Sequence, residues 1–374
     1  MNRIKFVISL FTIILVVSFS TSLSTIAVAS PTSLEDHLEK AVSYLISMYS
    51  PTLGLVANSE EKGPNPYGEA VPCNSTYWIY DDNLWAGWAL QPFNRSIADN
   101  ITSTVQRYTE KYGRSMLFEA AIGEPIPTTI HAGKNIKVYD GVVNGSPVQV
   151  LLDRHQYADN PGIFDDADQY TDLCCYMAIN YWMMDDTNAS EHWFRTGERM
   201  WNYTTDKGFY DKAAKSDGLY STFKLGLFLL AQKVTGFSSN ITGKVETAAW
   251  SYQNSLGGIT TLSWLNGSFY GTANTEATSA LLLSYNDQLT NRLHNRQSYA
   301  EYMLEITKAQ LNNATKTIDS LLANISALRN SPWSANPWPS WFTVLLLSTS
   351  ILTTLSSILA LRIKKLSKRP LKRI

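Results

Sequence analysis

Acidic residues stand just ahead of apolar segments at several points in the chain. They are Asp81, Asp82, Asp165, Asp166, Asp168, Asp217 and Glu276. Cleavage of a glycosidic bond needs two carboxyl groups about 5 to 10 Å apart, one protonated and one ionised. We take Asp82 and Asp166 as the predicted catalytic pair, with Glu276 as the substitute.

Aromatic side chains accompany these acidic residues and would suit a sugar. Aromatic rings pack against the C–H faces of sugar rings, while acids and amides bind the hydroxyl groups. The residues predicted to bind substrate are Trp78, Tyr80, Asp81, Trp85, Asp165, Asp168, Tyr170, Trp264 and Tyr270.

Helix capping is the simpler role for the same acidic residues. An Asp or Asn before a helix accepts hydrogen bonds from unpaired N–H groups and contributes about 0.5 to 2 kcal/mol. The simpler role for the aromatic residues is likewise structural: they would belong to the hydrophobic core. Asp172 follows Asp168 by one turn on the same predicted helix face and is expected to take no part in the site.

Sequence motifs for metals and nucleotides are missing. Asp166 and Asp168 begin like a calcium-binding loop, but the further oxygen ligand and the glycine of such a loop do not follow. Gln169 interrupts the diphosphate-binding pattern DDxxD, and no GxSxG, P-loop or GxGxxG motif occurs. We therefore predict no metal site and no cofactor. The clustered carboxylates from Asp165 to Asp168 leave a non-standard Ca²⁺ site open.

Three cysteines, Cys73, Cys174 and Cys175, give an odd number of thiols. Buried thiols are the expected state, because small apolar thiols are common in cores. A bridge from Cys73 to one of the adjacent pair stays open.

Both ends of the chain carry membrane-related signals. Residues 1–29 combine Arg3 and Lys5 with an apolar stretch and a small-residue cleavage site, which predicts a secretory signal peptide. Residues 341–361 lack charge, could cross a bilayer, and precede a basic tail at 362–374. Since basic segments stay in the cytoplasm, we predict a single-pass type I protein of the cell membrane with an extracytoplasmic N-terminal domain.

The charge balance agrees with export. Nine of the 31 Lys and Arg residues lie in the two end segments and none of the 32 Asp and Glu residues does, so the intervening part carries about −10. This acidic exterior argues against nucleic acid and favours a glycan or a cell-surface protein as partner. Glycosylation triplets Asn-x-Ser/Thr begin at Asn74, Asn94, Asn100, Asn144, Asn188, Asn202, Asn240, Asn266, Asn313 and Asn324.

Apolar periodicity predicts a mostly helical domain over residues 33–285. Residues 131–155 alternate β-forming residues around Asn144-Gly145, which predicts a β-hairpin in a β-rich insertion at about 128–155. Helices are expected at 34–49, 83–91, 96–112, 167–184, 189–203, 218–235, 242–254 and 274–287.

A heptad pattern follows the domain. Leu304, Leu311, Ile318 and Ile325 recur every seven residues and predict a helical stalk over 286–330. The stalk could be a coiled coil that makes a homo-oligomer, or a single helix packed on the domain. A linker rich in Pro and Trp at 331–340 separates it from the predicted membrane helix.

Helix starts along the domain share a pattern. In "YDDNLWAGWAL" (80–90), "FDDADQYTDLCCYMAINYW" (164–182), "SDGLYSTFKLGLFLLAQ" (216–232) and "TANTEATSALLLS" (272–284), a turn with Asp or Asn precedes an apolar helix. The segment "GGITTLSWLNGSFYGTANTEATSALLLSY" (257–285) resembles the Gly-Gly turn and Asn-Thr-Glu helix start of α/α-toroid proteins. Those proteins include six-hairpin glycosidases and the toroids of terpenoid cyclases and prenyltransferases.

This resemblance implies a mainly α fold, an α/α-toroid-like array of helical hairpins, of which about four can be counted. It also implies that functional residues lie where the inner helices begin. We expect a membrane-anchored cell-surface protein with a carbohydrate-active domain, hydrolase-like or lyase-like. The alternative is a non-catalytic surface glycoprotein that binds a glycan or a protein partner.

Overall fold

The computed structural model describes residues 33–62, 64–65, 69–155 and 162–297, with further helical residues between 304 and 326. The chain divides after Ala300 into two units, each described by itself. The predicted signal peptide, linker, membrane helix and basic tail lie outside the described residues. Within the described part, no helix has the length and apolar character needed to cross a membrane.

The first unit is mainly helical. Its α-helices are α1 (Leu34–Ser47), α2 (Trp85–Leu90), α3 (Arg95–Tyr112), α4 (Thr171–Met183), α5 (Thr187–Glu198), α6 (Lys212–Asp217), α7 (Phe223–Thr235), α8 (Thr242–Ser251), α9 (Thr275–Leu283) and α10 (Asp287–His294). Shorter turns of helix are a π-helical turn at Ile79–Leu84 and 3₁₀ turns at Cys73–Ser75, Phe118–Ile122 and Ala167–Gln169.

In the described part of this unit, ten strands accompany the helices. They are β1 (Tyr49–Ser50), β2 (Leu55–Val56), β3 (Pro64–Asn65), β4 (Glu69–Pro72), β5 (Thr76–Trp78), β6 (Lys134–Val143), β7 (Ser146–Arg154), β8 (Leu219–Ser221), β9 (Thr260–Trp264) and β10 (Phe269–Ala273). They form two two-stranded sheets, β1-β2 and β3-β4, and two three-stranded sheets, β5-β7-β6 and β10-β9-β8.

Helices pack in pairs that are consecutive in the chain. α2 packs against α3, α4 against α5, and α7 against α8, while α10 follows α9 and packs against α7. The first member of each pair is apolar on most sides, as in α4, where ten of thirteen residues are buried. The second member is amphipathic and buries one face only, which is typical of an outer helix. We call α2, α4, α7 and α9 the inner helices.

The inner helices are neighbours in space in the order of the chain. α4 packs against α7, α7 against α9, and α9 against α2. The indole of Trp85 in α2 and the phenol ring of Tyr176 in α4 have centroids 6.2 Å apart. The 3₁₀ turn at Phe118–Ile122 also packs against both α2 and α4.

The predicted β-hairpin is present. β6 and β7 are antiparallel and join through Asn144-Gly145, where both residues have positive φ, 51° and 80°. This geometry is the usual one for a two-residue hairpin turn with Asn-Gly. β7 also pairs in parallel with β5, which runs directly into the π-helical turn. The hairpin is thus tied to the start of α2.

Several predicted helices begin later than the sequence pattern suggested. Tyr170 has an extended backbone, so the segment predicted as 167–184 divides into a 3₁₀ turn and α4. Strand β8 occupies the start of the segment predicted as 218–235, because Leu219–Ser221 pairs with β9. Residues 287–294, predicted as the start of the stalk, form α10 against α7.

The second unit is described at few positions. Residues 315–320 are helical, and the Ile318 side chain is 37% exposed. These residues agree with a helical stalk. Pairing into a coiled coil stays a prediction.

Candidate active site

One charged residue stands at the start of each inner helix. Asp82 lies in the π-helical turn that leads into α2, and Asp172 is the second residue of α4. Lys224 is the second residue of α7, and Glu276 is the second residue of α9. The charged groups at these four helix starts form a connected set of electrostatic interactions, so we treat them as one site. We call Asp81, Asp82 and Glu276 the carboxylate cluster.

The π-helical turn is held by its own asparagine. Asn83 Oδ1 accepts the N–H of Val56 at 2.6 Å, and Asn83 Nδ2 donates to the carbonyls of Val56 at 3.0 Å and Trp78 at 2.6 Å. The side chain of Asn83 is fully buried. Turns of π-helix are rare and occur often at functional sites, where they place side chains that a regular helix would turn away.

The segment after β2 connects the π-helical turn to the start of α9. Asn58 Nδ2 donates to Asp82 Oδ2 at 3.0 Å, and the carbonyl of Asn58 accepts the N–H of Thr275 at 2.8 Å. Thr275 Oγ1 donates to the carbonyl of Ala57 at 2.6 Å. Asn274 caps α9 by accepting the N–H of Ala277 at 2.9 Å. Asp82 and Glu276 are therefore positioned by one continuous set of hydrogen bonds.

The pKa of each carboxyl in the cluster is raised. Burial raises the pKa of Asp81 to about 7, with a further contribution from the charge of Asp153. Burial and the charges of Asp81 and Asp172 raise the pKa of Glu276 to about 8. The pKa of Asp82 is well above its ordinary value because of burial and the charges of Asp81 and Glu276. Three carboxyls that repel one another in a protein interior share protons near neutral pH.

The three carboxyls differ in their access to solvent. Asp82 is 0% exposed, whereas Asp81 and Glu276 are partly exposed. Asp82 Oδ1 has no hydrogen-bond partner among the described residues. Of the three carboxyl residues, Asp81 and Glu276 are therefore the ones that solvent partly reaches, while Asp82 is enclosed.

The β6-β7 hairpin adds an acid and a histidine to the site. His155 Nε2 lies 3.4 Å from Asp153 Oδ2, and His155 Nδ1–H donates to the carbonyl of His131 at 3.0 Å. Burial lowers the pKa of His155, but Asp153 outweighs it and the net shift is upward. The imidazole packs edge to face on Phe118 with ring centroids 5.3 Å apart.

Buried polar atoms around the cluster lack partners. Within the described residues, Asp82 Oδ1, Asp153 Oδ1 and Tyr176 OH are buried without a hydrogen bond, and His155 Nε2 has the 3.4 Å ion pair with Asp153 in place of one. Burial and the charges of Asp172 and Glu276 raise the pKa of the Tyr176 phenol. Unpaired buried polar atoms are costly, and a group of them is typical of a site that binds a polar ligand.

Lys224 brings a buried positive charge to the same end of the inner helices. Its Nζ lies 2.6 Å from Asp211 Oδ2 and 3.1 Å from Asp172 Oδ1. Burial lowers the pKa of Lys224, but the charges of Asp172 and Asp211 outweigh it, so the ammonium stays charged. Asp211 also accepts the N–H groups of Thr171 and Ala214 at 3.1 Å each. The lysine is thus neutralised by two carboxylates.

The structure separates the residues that the sequence grouped together. The π-helical turn that carries Asp81 and Asp82 packs against α9, which carries Glu276. Asp166 instead forms an ion pair with Lys212, whose hydrogen bond lowers the pKa of that carboxyl. Asp165 and Asp168 are exposed, and Asp217 ends α6. None of these four is among the groups that shift the pKa values of the carboxylate cluster.

The predicted aromatic residues have different surroundings. Trp78, Tyr80 and Trp85 are buried in the core, where Trp85 Nε1 donates to the carbonyl of Phe118 at 3.1 Å and the Tyr80 hydroxyl donates to the carbonyl of Gly113. Tyr170 is half-buried and contacts Phe164 edge to face. Trp264 and Tyr270 are exposed on the β9-β10 hairpin.

The remaining candidate groups are the cysteine thiols and side chains that could bind a metal. All three cysteines are buried, and burial raises the pKa of the Cys174 thiol. In the part of the chain that the structure describes, no group of three or more His, Cys, Asp or Glu side chains is arranged to hold a metal ion.

The sequence did not predict four of the candidate functional residues, which are Asp153, His155, Asp211 and Lys224. Lys224 did carry a signal, because it is a lone charge in the apolar run FKLGLFLLA. Asp172, expected to stand outside the site, binds Lys224 and raises the pKa of Glu276. Asp153 and His155 end the predicted hairpin, but nothing local indicates that they turn towards Asp81.

A separate cavity lies away from the cluster. It has a volume of about 300 Å³ and is lined by Asp168, Gln169, Thr196, Arg199, Met200, Lys212 and Lys215. None of the three clustered carboxyls contributes to its wall. We place the candidate active site at the cluster, because raised carboxyl pKa values and unpaired buried atoms coincide there.

Comparisons with known proteins give no match: no family model, no curated protein and no solved structure aligns with the chain.

Proposed function

We propose that this protein is a glycoside hydrolase in which Glu276 and Asp81 are the catalytic residues. The observation that carries the proposal is geometric: Asp81 and Glu276 stand at two helix starts that pack together, among buried polar atoms without hydrogen-bond partners in the described residues. Burial and neighbouring charges raise the pKa of both carboxyls, to about 7 and about 8. Carboxyls with pKa values near working pH are typical of acid–base catalysis.

Glu276 acts as the general acid. A carboxyl with a pKa of about 8 keeps its proton at neutral pH and can donate it to the oxygen of the scissile glycosidic bond. Asp81 serves as the charged partner, since the two carboxyls titrate as a coupled group in which one proton leaves before the other. Asp81 either activates water or attacks the anomeric carbon. One protonated and one ionised carboxyl is the state that glycoside cleavage requires.

Asp82 is a positioning residue in this mechanism. It is fully buried, and its hydrogen bond from Asn58 holds the π-helical turn against the start of α9. Its negative charge, when present, raises the proton affinity of Asp81 and Glu276. We assign to Asp81 the catalytic role that the sequence suggested for Asp82, because Asp82 is enclosed and Asp81 is partly exposed. Asp166 has no step in the mechanism.

The charges of the site favour a neutral sugar or an amino sugar as substrate. Asp81, Asp82, Asp153 and Glu276 are acidic, and Lys224 is already bound by two carboxylates. A uronic acid would place another carboxylate among these groups, where the nearby Lys224 and His155 are already paired with carboxylates. A lyase reaction requires such a uronic acid, with its carboxylate neutralised to ease proton removal. The hydrolytic reaction is therefore preferred over the lyase-like one.

The finer fold we propose is an α/α-toroid-like ring of four helical pairs. The inner helices α2, α4, α7 and α9 are neighbours in chain order, and α9 returns to α2. The contact between Trp85 and Tyr176 supports closure between α2 and α4. In such a ring the inner helices start at one end, which agrees with the electrostatic coupling of Asp82, Asp172 and Glu276.

The cellular setting remains the one that the sequence predicts. A signal peptide at 1–29 and a membrane helix at 341–361 would hold the domain outside the cell as a type I membrane protein. The stalk would set its distance from the membrane and could join copies into a homo-oligomer. The substrate would then be a cell-surface or environmental glycan.

A substrate panel with product identification tests the proposal. The exported chain is incubated with neutral, amino-sugar and uronate polysaccharides, and reducing ends are measured. We expect cleavage of a neutral or amino-sugar glycan, and a loss of about 10² to 10⁴-fold in kcat for Glu276→Gln and Asp81→Asn. Asp99→Asn is the control, since Asp99 is exposed on α3 and pairs with exposed Arg95 at 3.5 Å.

Other outcomes decide between the two functions. Binding of a glycan by the wild-type chain without any bond cleavage would support the alternative, a non-catalytic surface glycoprotein. Cleavage that survives unchanged in Glu276→Gln, in a variant that keeps its helical circular dichroism, would reject Glu276 as the acid.

A further inference from the structure

Two hairpin turns of the chain carry the same Asn-Gly-Ser triplet. One is Asn144 to Ser146 between β6 and β7, and the other is Asn266 to Ser268 between β9 and β10. We propose that Asn266 carries an N-linked glycan whose first sugar stacks on the indole of Trp264. The proposal presupposes the export that residues 1–29 predict, and it does not depend on the proposed hydrolase activity.

The Asn266 side chain is exposed and oriented by its own triplet. Asn266 Oδ1 accepts the N–H of Ser268 at 2.9 Å and the hydroxyl of Ser268 at 2.7 Å. Gly267 has φ +87°, a conformation that glycine adopts readily and that lets the chain reverse here. Among the described residues, no hydrogen bond engages Asn266 Nδ2, the atom that a glycan would be joined to.

Trp264 closes the same turn. The backbone carbonyl of Trp264 accepts the N–H of Gly267 at 2.8 Å, and the backbone N–H of Trp264 donates to the carbonyl of Ser268 at 2.9 Å. The indole is 46% exposed and meets the ring of Tyr270 edge to face, with centroids 4.9 Å apart. An exposed aromatic face beside an exposed amide offers a sugar the apolar surface that its C–H groups prefer. The aromatic pair then holds the chain's own sugar in place of substrate.

Several other triplets in the described domain have asparagines that are hydrogen-bonded or lie inside a helix. Asn202 Nδ2 donates to the hydroxyl of Tyr220 at 2.8 Å. Asn94 caps α3 by accepting the N–H of Ile97. Asn100 and Asn188 lie inside α3 and α5, where the triplet cannot form a turn.

Asn144 is the natural comparison for Asn266. It has the same following residues and also lies in a hairpin turn. The residue two places before it is Val142, which is 65% exposed, where Trp264 stands before Asn266. The two exposed turns differ in the aromatic platform and in the asparagine itself, since Asn144 has φ 51° and Asn266 is oriented by hydrogen bonds from Ser268.

The modification is a transfer from a lipid-linked oligosaccharide. Asn266 Nδ2 forms a bond to C1 of the first sugar while the bond from C1 to the phosphate oxygen of the donor breaks. The lipid phosphate leaves with the electron pair of that bond, and the amide proton passes to a base of the transferase. The product carries a neutral N–C1 linkage at the tip of the β9-β10 hairpin.

Glycopeptide mass spectrometry tests the proposal. The full chain is produced in a cell that exports it and glycosylates Asn-x-Ser/Thr sites, and occupancy at Asn266 and Asn144 is measured in one sample. We expect Asn266 to be glycosylated and its occupancy to exceed that of Asn144. Asn266 without glycan in the wild-type chain overturns the proposal, whatever is found at Asn144.

Stacking on Trp264 has its own readout. Enzymatic removal of the glycan should lower Tm of the wild-type chain by about 2 to 4 °C. The same treatment should leave Tm of Trp264→Ala unchanged, because no indole remains to hold the sugar. Equal shifts in the two proteins would reject the stacking. Both positions are exposed, so the variant is expected to fold.

Discussion

Asn58 Nδ2 donates a hydrogen bond to Asp82 Oδ2 over 3.0 Å. The backbone carbonyl of Asn58 binds Thr275 at the start of α9. One residue outside the helices therefore sets the position of the π-helical turn relative to Glu276. The hydrogen bond from Asn58 also opposes the upward shift in the pKa of Asp82, which burial causes first of all.

Replacement of Asn58 should destabilise the fold in a way that depends on pH. Asn58→Ala leaves Asp82 without its donor and should lower the free energy of unfolding by about 1 to 3 kcal/mol. Asn58→Asp adds a like charge and should be less stable than Asn58→Ala at pH 8, but not at pH 5. Urea denaturation at both pH values measures this. An Asn58→Asp variant as stable as wild type at pH 8 would contradict the contact.

Activity should show a narrow bell-shaped dependence on pH. Asp81 must lose its proton, so the rate rises through pH about 7, and Glu276 must keep its proton, so the rate falls above pH about 8. Because the carboxyls interact, the two limbs report values of the cluster as a whole. The measurement is kcat/KM from about pH 5 to about pH 10. A rate that still rises above the pKa of Glu276 would exclude a general acid in that position.

Local sequence information was enough for some of these features. The β6-β7 hairpin was predictable because strand alternation and Asn144-Gly145 both act within a few residues. The grouping of Asp81, Asp82 and Glu276 was accessible because each stands before an apolar segment, and helix starts of successive hairpins tend to lie at one end. Neither inference needed a long-range contact.

Other features depend on contacts between distant residues. Asp166 was expected beside Asp82, but extended Tyr170 separates it from α4 and Lys212 on the unpredicted helix α6 binds it. Lys224 would ordinarily be placed in solvent by its charge. Only the packing of α7 against α4, and of Asp211 against both, makes a buried ion pair possible. No sequence window contains those three residues together.

The raised pKa of Glu276 predicts how stability changes with pH. Its folded-state pKa is raised from 4.5 to about 8, so folding favours the protonated form. The contribution to stability is full below the unfolded pKa and is lost as pH rises through about 8. Glu276→Gln cannot ionise, so it should be more stable than wild type at alkaline pH, by an amount on the order of 1 to 3 kcal/mol. At acid pH the two should be nearly equal. Thermal unfolding across this range checks the crossing, and parallel curves would refute it.

Lys224 should be far more important for stability than an exposed lysine in a similar pair. Lys224→Met leaves the buried carboxylates of Asp211 and Asp172 without a cation and should cost about 3 to 5 kcal/mol. Addition of Asp211→Asn should recover part of this loss. The matched control is Lys244→Met, since Lys244 pairs with Asp206 at 2.8 Å but both side chains are more than 40% exposed; its cost should stay below about 1 kcal/mol. Chemical denaturation that gives equal losses for the two lysines would contradict the buried triad.

The distance between α7 and α9 should depend on Gly226. A Cβ at that position would overlap the backbone of Ala280 and Leu281 in α9, so the two helices are close because the side chain is absent. Gly226→Ala should separate them and cost about 1 to 3 kcal/mol. Since Lys224 and Glu276 stand on these two helices, the same variant should also shift the pH values at which activity rises and falls. Gly243→Ala is the control, because Gly243 is exposed in α8 with no atom within 4 Å of a built Cβ. At position 243, alanine should raise the free energy of unfolding by about 0.5 to 1 kcal/mol through helix propensity alone. If both variants gain stability in thermal unfolding, close packing of α7 on α9 does not govern the site.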